Sequence, residues 1–145
     1  MKPVPLLVTI AGAILMSACH KSPTAPGGSA SYEGQWSGTT SQGRPIAFTV
    51  SSAQKVTAIS IGYSFNGCAG TNTFSNLNLD IGNPPNPGSP SLGPSFGYGS
   101  GPPDGANYTQ ILGSFGSTTA ATGSMTFGAY SGCGTAIGIW TAARR

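Results

Sequence analysis

The sequence predicts an all-β fold: an antiparallel meander of seven to eight strands forming a small barrel, with a two-sheet β-sandwich as the alternative. Three features carry that expectation. From Tyr32 to Arg145 no stretch holds a helical period, while short alternating apolar and polar runs recur between clusters of Gly, Asn, Ser and Pro. Cys68 and Cys133 each follow an aromatic residue and a turn dipeptide, in Phe65-Asn66-Gly67-Cys68 and Tyr130-Ser131-Gly132-Cys133. Trp36 near the start of the domain and Trp140 near its end each stand between small residues on one strand face.

The strands follow from alternation. Tyr32, Gly34, Trp36 and Gly38 share one face of the first, and Ile46, Phe48 and Val50 share a face of the second, between Ala47, Thr49 and Ser51. Ile59, Ile61, Tyr63 and Phe65 make the third, backed by Ala58, Ser60, Gly62 and Ser64. Asn66-Gly67 then predicts a hairpin, because this dipeptide tolerates the positive φ that tight turns require. Leu77, Leu79 and Ile81 alternate with Asn76, Asn78 and Asp80 in the fourth strand. Phe74 has the wrong parity for that face, which predicts a bulge or an outward-facing ring. The segment 82–106 interrupts the rhythm: of its 25 residues seven are Pro and seven are Gly, and proline removes ladder donors. It reads as a long loop, functional or disordered, with Ser95-Phe96-Gly97-Tyr98-Gly99 as a short edge strand inside it. Alternation resumes over Asn107–Phe115, Ala121–Phe127 and Thr135–Ala142.

Two internal echoes bear on topology. If Cys68 and Cys133 are bonded, the two hairpins that carry them open at the same end of the domain. Gly34-Gln35-Trp36-Ser37-Gly38 is echoed by Gly138-Ile139-Trp140-Thr141-Ala142. An up-and-down barrel brings first and last strands together, where two tryptophans would close its floor; two unrelated core tryptophans are the other reading. Gly34-x-Trp36 opening the first strand, with Arg144 and Arg145 after the last, resembles the lipocalin and avidin kind of meander barrel. That resemblance implies that Arg144 or Arg145 packs on Trp36. The chain departs from it by lacking the helix that follows the lipocalin barrel and by placing its long loop mid-chain.

Ahead of the domain, Met1 and Lys2 precede an apolar run from Val4 to Met16, which leads into Leu15-Met16-Ser17-Ala18-Cys19. The run is shorter than the ~20 residues a bilayer-spanning helix needs. One positive charge before it and small residues after it form the pattern of a removed export signal. The pentapeptide resembles the lipobox of bacterial lipoproteins, with Met16 where that family prefers Leu. The resemblance implies a signal peptide over 1–18, acylation of Cys19 of the palmitate class, and a membrane anchor. His20 in place of Asp after the cysteine implies the outer membrane in a double-membraned host and the plasma membrane in a monoderm one. An ordinary secretory signal cut near Ala18 is the alternative. Residues 19–31 then comprise the lipidated Cys19 and a tether, since Lys21 to Ser31 contains no large apolar side chain and mixes Pro with Gly and Ser. With Cys19 acylated, Cys68 and Cys133 are an even pair in an exported protein and read as a disulfide. Two free thiols or a bond to another chain are the alternatives. Tyr32–Arg145 is long enough for one hydrophobic core.

Charged residues make up 6% of the chain, against ~25% in an average soluble protein. Lys2 falls in the signal peptide, so five basic and three acidic side chains remain, too few and too dispersed for nucleic acid. Arg144 and Arg145 are the only cluster and read as a solvated tail. The single histidine, His20, lies on the tether, which leaves no base for a Ser/His/Asp or Cys/His site in the domain. Glu33, Asp80 and Asp104 are the only carboxylates. A two-carboxylate glycosidase is arithmetically open, but strand-start, outward-facing and Pro-Pro-Asp-Gly turn positions read as solvated surface. No spacing suits a metal, no cofactor is expected, and Gly97 to Gly101 precedes no helix that would cradle a phosphate. Asn107-Tyr108-Thr109 matches a glycosylation acceptor and reads as idle. The expectation is a non-enzymatic module, partnered by the membrane and by a small ligand or an envelope protein. In the first version an apolar or glycan ligand binds near Trp36, Trp140, Phe96 and Tyr98. In the second, a structural or protein-partner module, a protease inhibitor included, has no cavity. A barrel filled by its own aromatics favours the second, and a hollow one lined by Tyr and Asn favours the first.

Overall fold

The structure, a computed structural model, describes residues 30–82, 93–102, 106–128 and 132–145. The signal peptide, Cys19, most of the tether, Asp104, Tyr130 and Ser131 lie outside these residues, as do positions 83–92 of the Pro/Gly-rich segment. Among the described residues, nine antiparallel strands form one sheet: β1 (Gly34–Thr40), β2 (Pro45–Val50), β3 (Lys55–Phe65), β4 (Cys68–Phe74), β5 (Leu79–Asp80), β6 (Ser95–Ser100), β7 (Tyr108–Phe115), β8 (Ala120–Gly128) and β9 (Ala136–Arg144). The hydrogen-bonded path runs β4-β3-β2-β1-β9-β8-β7-β6, with β5 pairing β3 beside it. The sheet curls into a half-barrel, the meander that the alternation predicts.

One face of each long strand of the sheet except β4 supplies the core. Ile46, Phe48 and Val50 of β2, Val56, Ile59 and Ile61 of β3, Ile111 and Phe115 of β7, and Met125 and Phe127 of β8 are all buried. Asn66 and Gly67 adopt φ of 48° and 78°, the positive values that close a two-residue hairpin, and they set Cys68 opposite Phe65. The Cys68–Cys133 disulfide is formed, with Cα atoms 6.2 Å apart. It joins the β3–β4 hairpin to the β8–β9 connection, and Asn66 Nδ2 donates to the Cys133 carbonyl at 2.8 Å beside it. The half-barrel thus has a disulfide end and, opposite, a tether end where the chain enters β1.

The fourth strand differs from expectation. It is Cys68–Phe74, not the Leu77–Ile81 run. A Cβ on Gly70 would stand 2.6 Å from the Tyr63 hydroxyl of β3, so the Tyr63 side chain lies over Gly70. Phe74 faces inward opposite Ile59, with neither a bulge nor an outward ring. Its parity conflict with Leu77 disappears because residues 75–78 separate β4 from β5 and Asn76 turns the chain at φ 56°. Leu77, Leu79 and Ile81 pack on the core while Asn76, Asn78 and Asp80 are exposed. Only Leu79 and Asp80 pair with β3.

β1 and β9 are neighbours, as a meander barrel requires. Their register sets Trp36 opposite Arg144 and Thr40 opposite Trp140, so the two tryptophans lie diagonally and do not form one floor. Phe48 sits between them, its ring 5.5 Å from Trp36 and 5.8 Å from Trp140. Trp140 reaches across two strands, and glycine leaves it room. A Cβ on Gly123 would collide with its ring, and one on Gly113 would stand 3.0 Å from it.

Candidate functional site

The four residues expected near a ligand occupy two kinds of place. Trp36, Trp140 and Phe96 are brought together inside, at 1%, 1% and 5% exposure. Phe115 packs at 5.0 Å from Trp36 and 5.8 Å from Phe96, and Phe96 lies 5.3 Å from Phe48. Such tilted and edge-on aromatic pairs are favourable in themselves, and this set fills the middle of the half-barrel. The indole N–H groups are satisfied by backbone: Trp36 Nε1 donates to Tyr32 O at 2.9 Å and Trp140 Nε1 to Ser124 O at 3.2 Å. Toward the disulfide end a second group continues the filling, with Phe127 5.2 Å from Tyr63 and 6.0 Å from Phe65. Tyr98 stands apart from the buried three. It is half-buried on β6, its ring 4.4 Å from Phe74.

Tyr98 and Phe74 meet where the sheet is incompletely joined. β4 and β6 are the two ends of the hydrogen-bonded path. Among the described residues they are linked through Gly82 and Ser95, which exchange backbone hydrogen bonds at 3.0 and 2.8 Å, and through this one ring contact.

Among the described residues, charge is confined to the two ends. Lys55 Nζ meets Asp80 Oδ1 at 2.6 Å, an exposed pair worth at most about 1 kcal/mol that fastens β5 to the start of β3. Arg144 Nη1 donates to the carbonyls of Ser31 at 3.0 Å and Glu33 at 3.4 Å. Arg145 Nε donates to Ser37 Oγ at 2.6 Å, and its backbone N–H donates to Gln35 O at 2.9 Å. The pair expected to be a solvated tail is therefore a clasp that holds the entering chain against β1 and β9. Arg44 sits in the β1–β2 turn at the disulfide end. With Asp80 engaged by Lys55, the described carboxylates make no acid–base pair, and among the described residues no group of His, Cys, Asp or Glu could hold a metal.

The outer wall has a different character. The outward positions of β6 to β9, β1 and β2 carry Ser, Thr, Gly, Ala, Gln, Pro, Tyr, Leu and Ile, and no charged side chain. Gln35, Ser37, Ala47 and Arg145 line a shallow recess of about 350 Å³ on β1 and β2. Two of its polar groups are engaged with neighbours: Thr49 Oγ1 donates to Gln35 Oε1 at 3.0 Å and Ser37 Oγ accepts from Arg145 Nε. On the β7–β9 side Leu112, Ile137 and Ile139 are 44%, 76% and 65% exposed. Reasoning from the sequence missed this strip. The signal was present in β9, where Ile137 and Ile139 alternate with Gly138 and Trp140, so that the strand is apolar on both faces.

No protein-family model, no curated protein and no solved structure matches this chain.

Proposed function

We propose that the chain is a non-enzymatic lipoprotein of the cell envelope, anchored through acylated Cys19, whose β-domain is a structural or protein-partner-binding module. The filled interior carries the reading of the domain. Trp36, Trp140 and Phe96 are spent on one another and on Phe48 and Phe115. A carrier of a small apolar or glycan ligand needs concave space lined by such side chains. The wall supports the same reading, because exposed hydroxyl and amide groups supply adaptable hydrogen bonds of the kind that partner-binding surfaces use. The sole histidine lies on the tether, which supports a role without turnover, and His20 after Cys19 supports the outer membrane as its address.

The test uses the purified full-length protein, melted in the presence of lipids, sugars and peptidoglycan fragments while tryptophan emission is followed. The expected result is an unchanged melting temperature and an unchanged emission maximum. A saturable shift with altered Trp36 and Trp140 emission would replace this reading by that of a carrier. Separately, Cys19→Ser is expected to move the protein from the membrane to the soluble fraction, and retention with lipid would overturn the anchor.

A further inference from the structure

We propose that Leu112, Ile137 and Ile139 form a seat by which the domain lies on the lipid bilayer that holds the acyl chain of Cys19, an inference that rests on the lipoprotein reading above. The three side chains stand on one face. Leu112 and Ile139 are both in register with Ser124, one from each side, and Ile137 is in register with Thr126 on the next outward row. Small hydroxyl residues thus floor the strip and aliphatic side chains rise from it. Such an exposed apolar cluster, set in a polar surround, marks a contact surface.

The wall around the strip suits a lipid surface. Its outward neighbours are Gln110, Ser114, Thr122, Thr141 and Ala143, so no ionised group must be stripped of water on approach. Among the described residues, no acidic side chain stands on the outward positions of the wall's strands to repel anionic headgroups. Three aliphatic residues fall far short of the 20–30 residues a side, roughly, that a stable protein interface uses. They suit a second, weak contact added to a covalent lipid, the pairing that stable anchoring requires.

The attachment point places the strip within reach. The chain enters the domain against β9 itself, where Arg144 holds the Ser31 and Glu33 carbonyls. Whatever its conformation, the chain from Cys19 to Ala30 spans at most about 40 Å. A strand as long as β9 rises about 30 Å, so the anchor confines the domain to roughly its own height above the bilayer. Under that confinement a weak surface contact becomes effectively intramolecular.

The experiment uses the full-length acylated protein in vesicles of phosphatidylethanolamine and phosphatidylglycerol with brominated acyl chains, which quench indole emission at short range. Ile139→Trp places a probe on the strip. Thr71→Trp places one on the exposed outer face of β4, at the far end of the strand order. Both variants are checked for a wild-type thermal melt, and Trp36 and Trp140 are buried in each. The expected result is loss of most of the added emission in Ile139→Trp and its retention in Thr71→Trp. Equal quenching at both positions, or none at position 139 while the protein floats with the vesicles, would overturn the seat and leave the anchor standing. An acylated protein that fails to float with the vesicles would overturn both.

Discussion

Remote stretches of chain meet at two junctions in the curled sheet, and the two are built differently. Between β1 and β9 the backbone ladder is continuous from Trp36–Arg144 to Thr40–Trp140. It continues past both ends, with Ser41 N–H donating to Ile139 O at 2.8 Å and Arg145 N–H to Gln35 O at 2.9 Å. Between β4, β5 and β6 the described links are the Gly82–Ser95 exchange and the Phe74–Tyr98 ring pair. β1 and β9 contain no proline, whereas Pro94 and Pro102 bracket β6. Pro94 accepts from Phe115 N–H at 2.8 Å, a bond that fastens β6 to β7 and adds nothing to the β4 side. The ends of the domain are thus joined by a continuous backbone ladder, which depends little on side-chain identity, and the described part of its middle by one backbone bridge and two particular rings.

The comparison can be broken in order of expected effect. Trp140→Ala removes the side chain that crosses β8 and β7 and packs on Phe48 and Phe96, and it should cost about 3–5 kcal/mol in denaturant unfolding. A cost near zero would mean that the filled interior is not what holds the half-barrel together. Replacing both Cys68 and Cys133 by Ser should cost about 4 kcal/mol on the chain-entropy estimate for so long a loop. That loop has a sequence separation of 65, and its bond ties β4, at the open junction, to the β8–β9 side. Reduction of the wild type with dithiothreitol should reproduce the loss. Tyr98→Ala should cost only about 1–2 kcal/mol, the value of one half-buried ring and its aromatic partner. An unfolding cost matching that of Trp140→Ala would show the two junctions to be equally tight.

Much of the fold was legible because alternation reports which side of a sheet is buried. β2, β3, β7, β8 and β9 could be read that way, and even the weak strand around Phe96 was visible between its prolines. β4 could not, because Gly70, Asn72 and Thr73 carry no apolar signal, and the one aromatic side chain over Gly70, Tyr63, belongs to the next strand. The candidate site divides similarly. The aromatic residues were identifiable by type, but their packing on one another was not, because it depends on Phe48 and Phe115, which have three strands between them in the sheet path. Arg144 and Arg145 looked like a tail because a clasp on Ser31, Glu33 and Ser37 joins residues more than a hundred positions apart.

By itself the sequence determined the all-β class, the antiparallel meander, the Asn66-Gly67 turn and the partnership of two cysteines. Each of these depends on local periodicity, on the φ preference of a dipeptide or on counting. Only the tertiary structure decided that the tryptophans are core, that the mid-chain junction is the open one and that Ile137 and Ile139 face outward together. Those outcomes are set by strand register and by which side chains fill the shared interior. Both are properties of pairs of strands, and neither strand carries them alone.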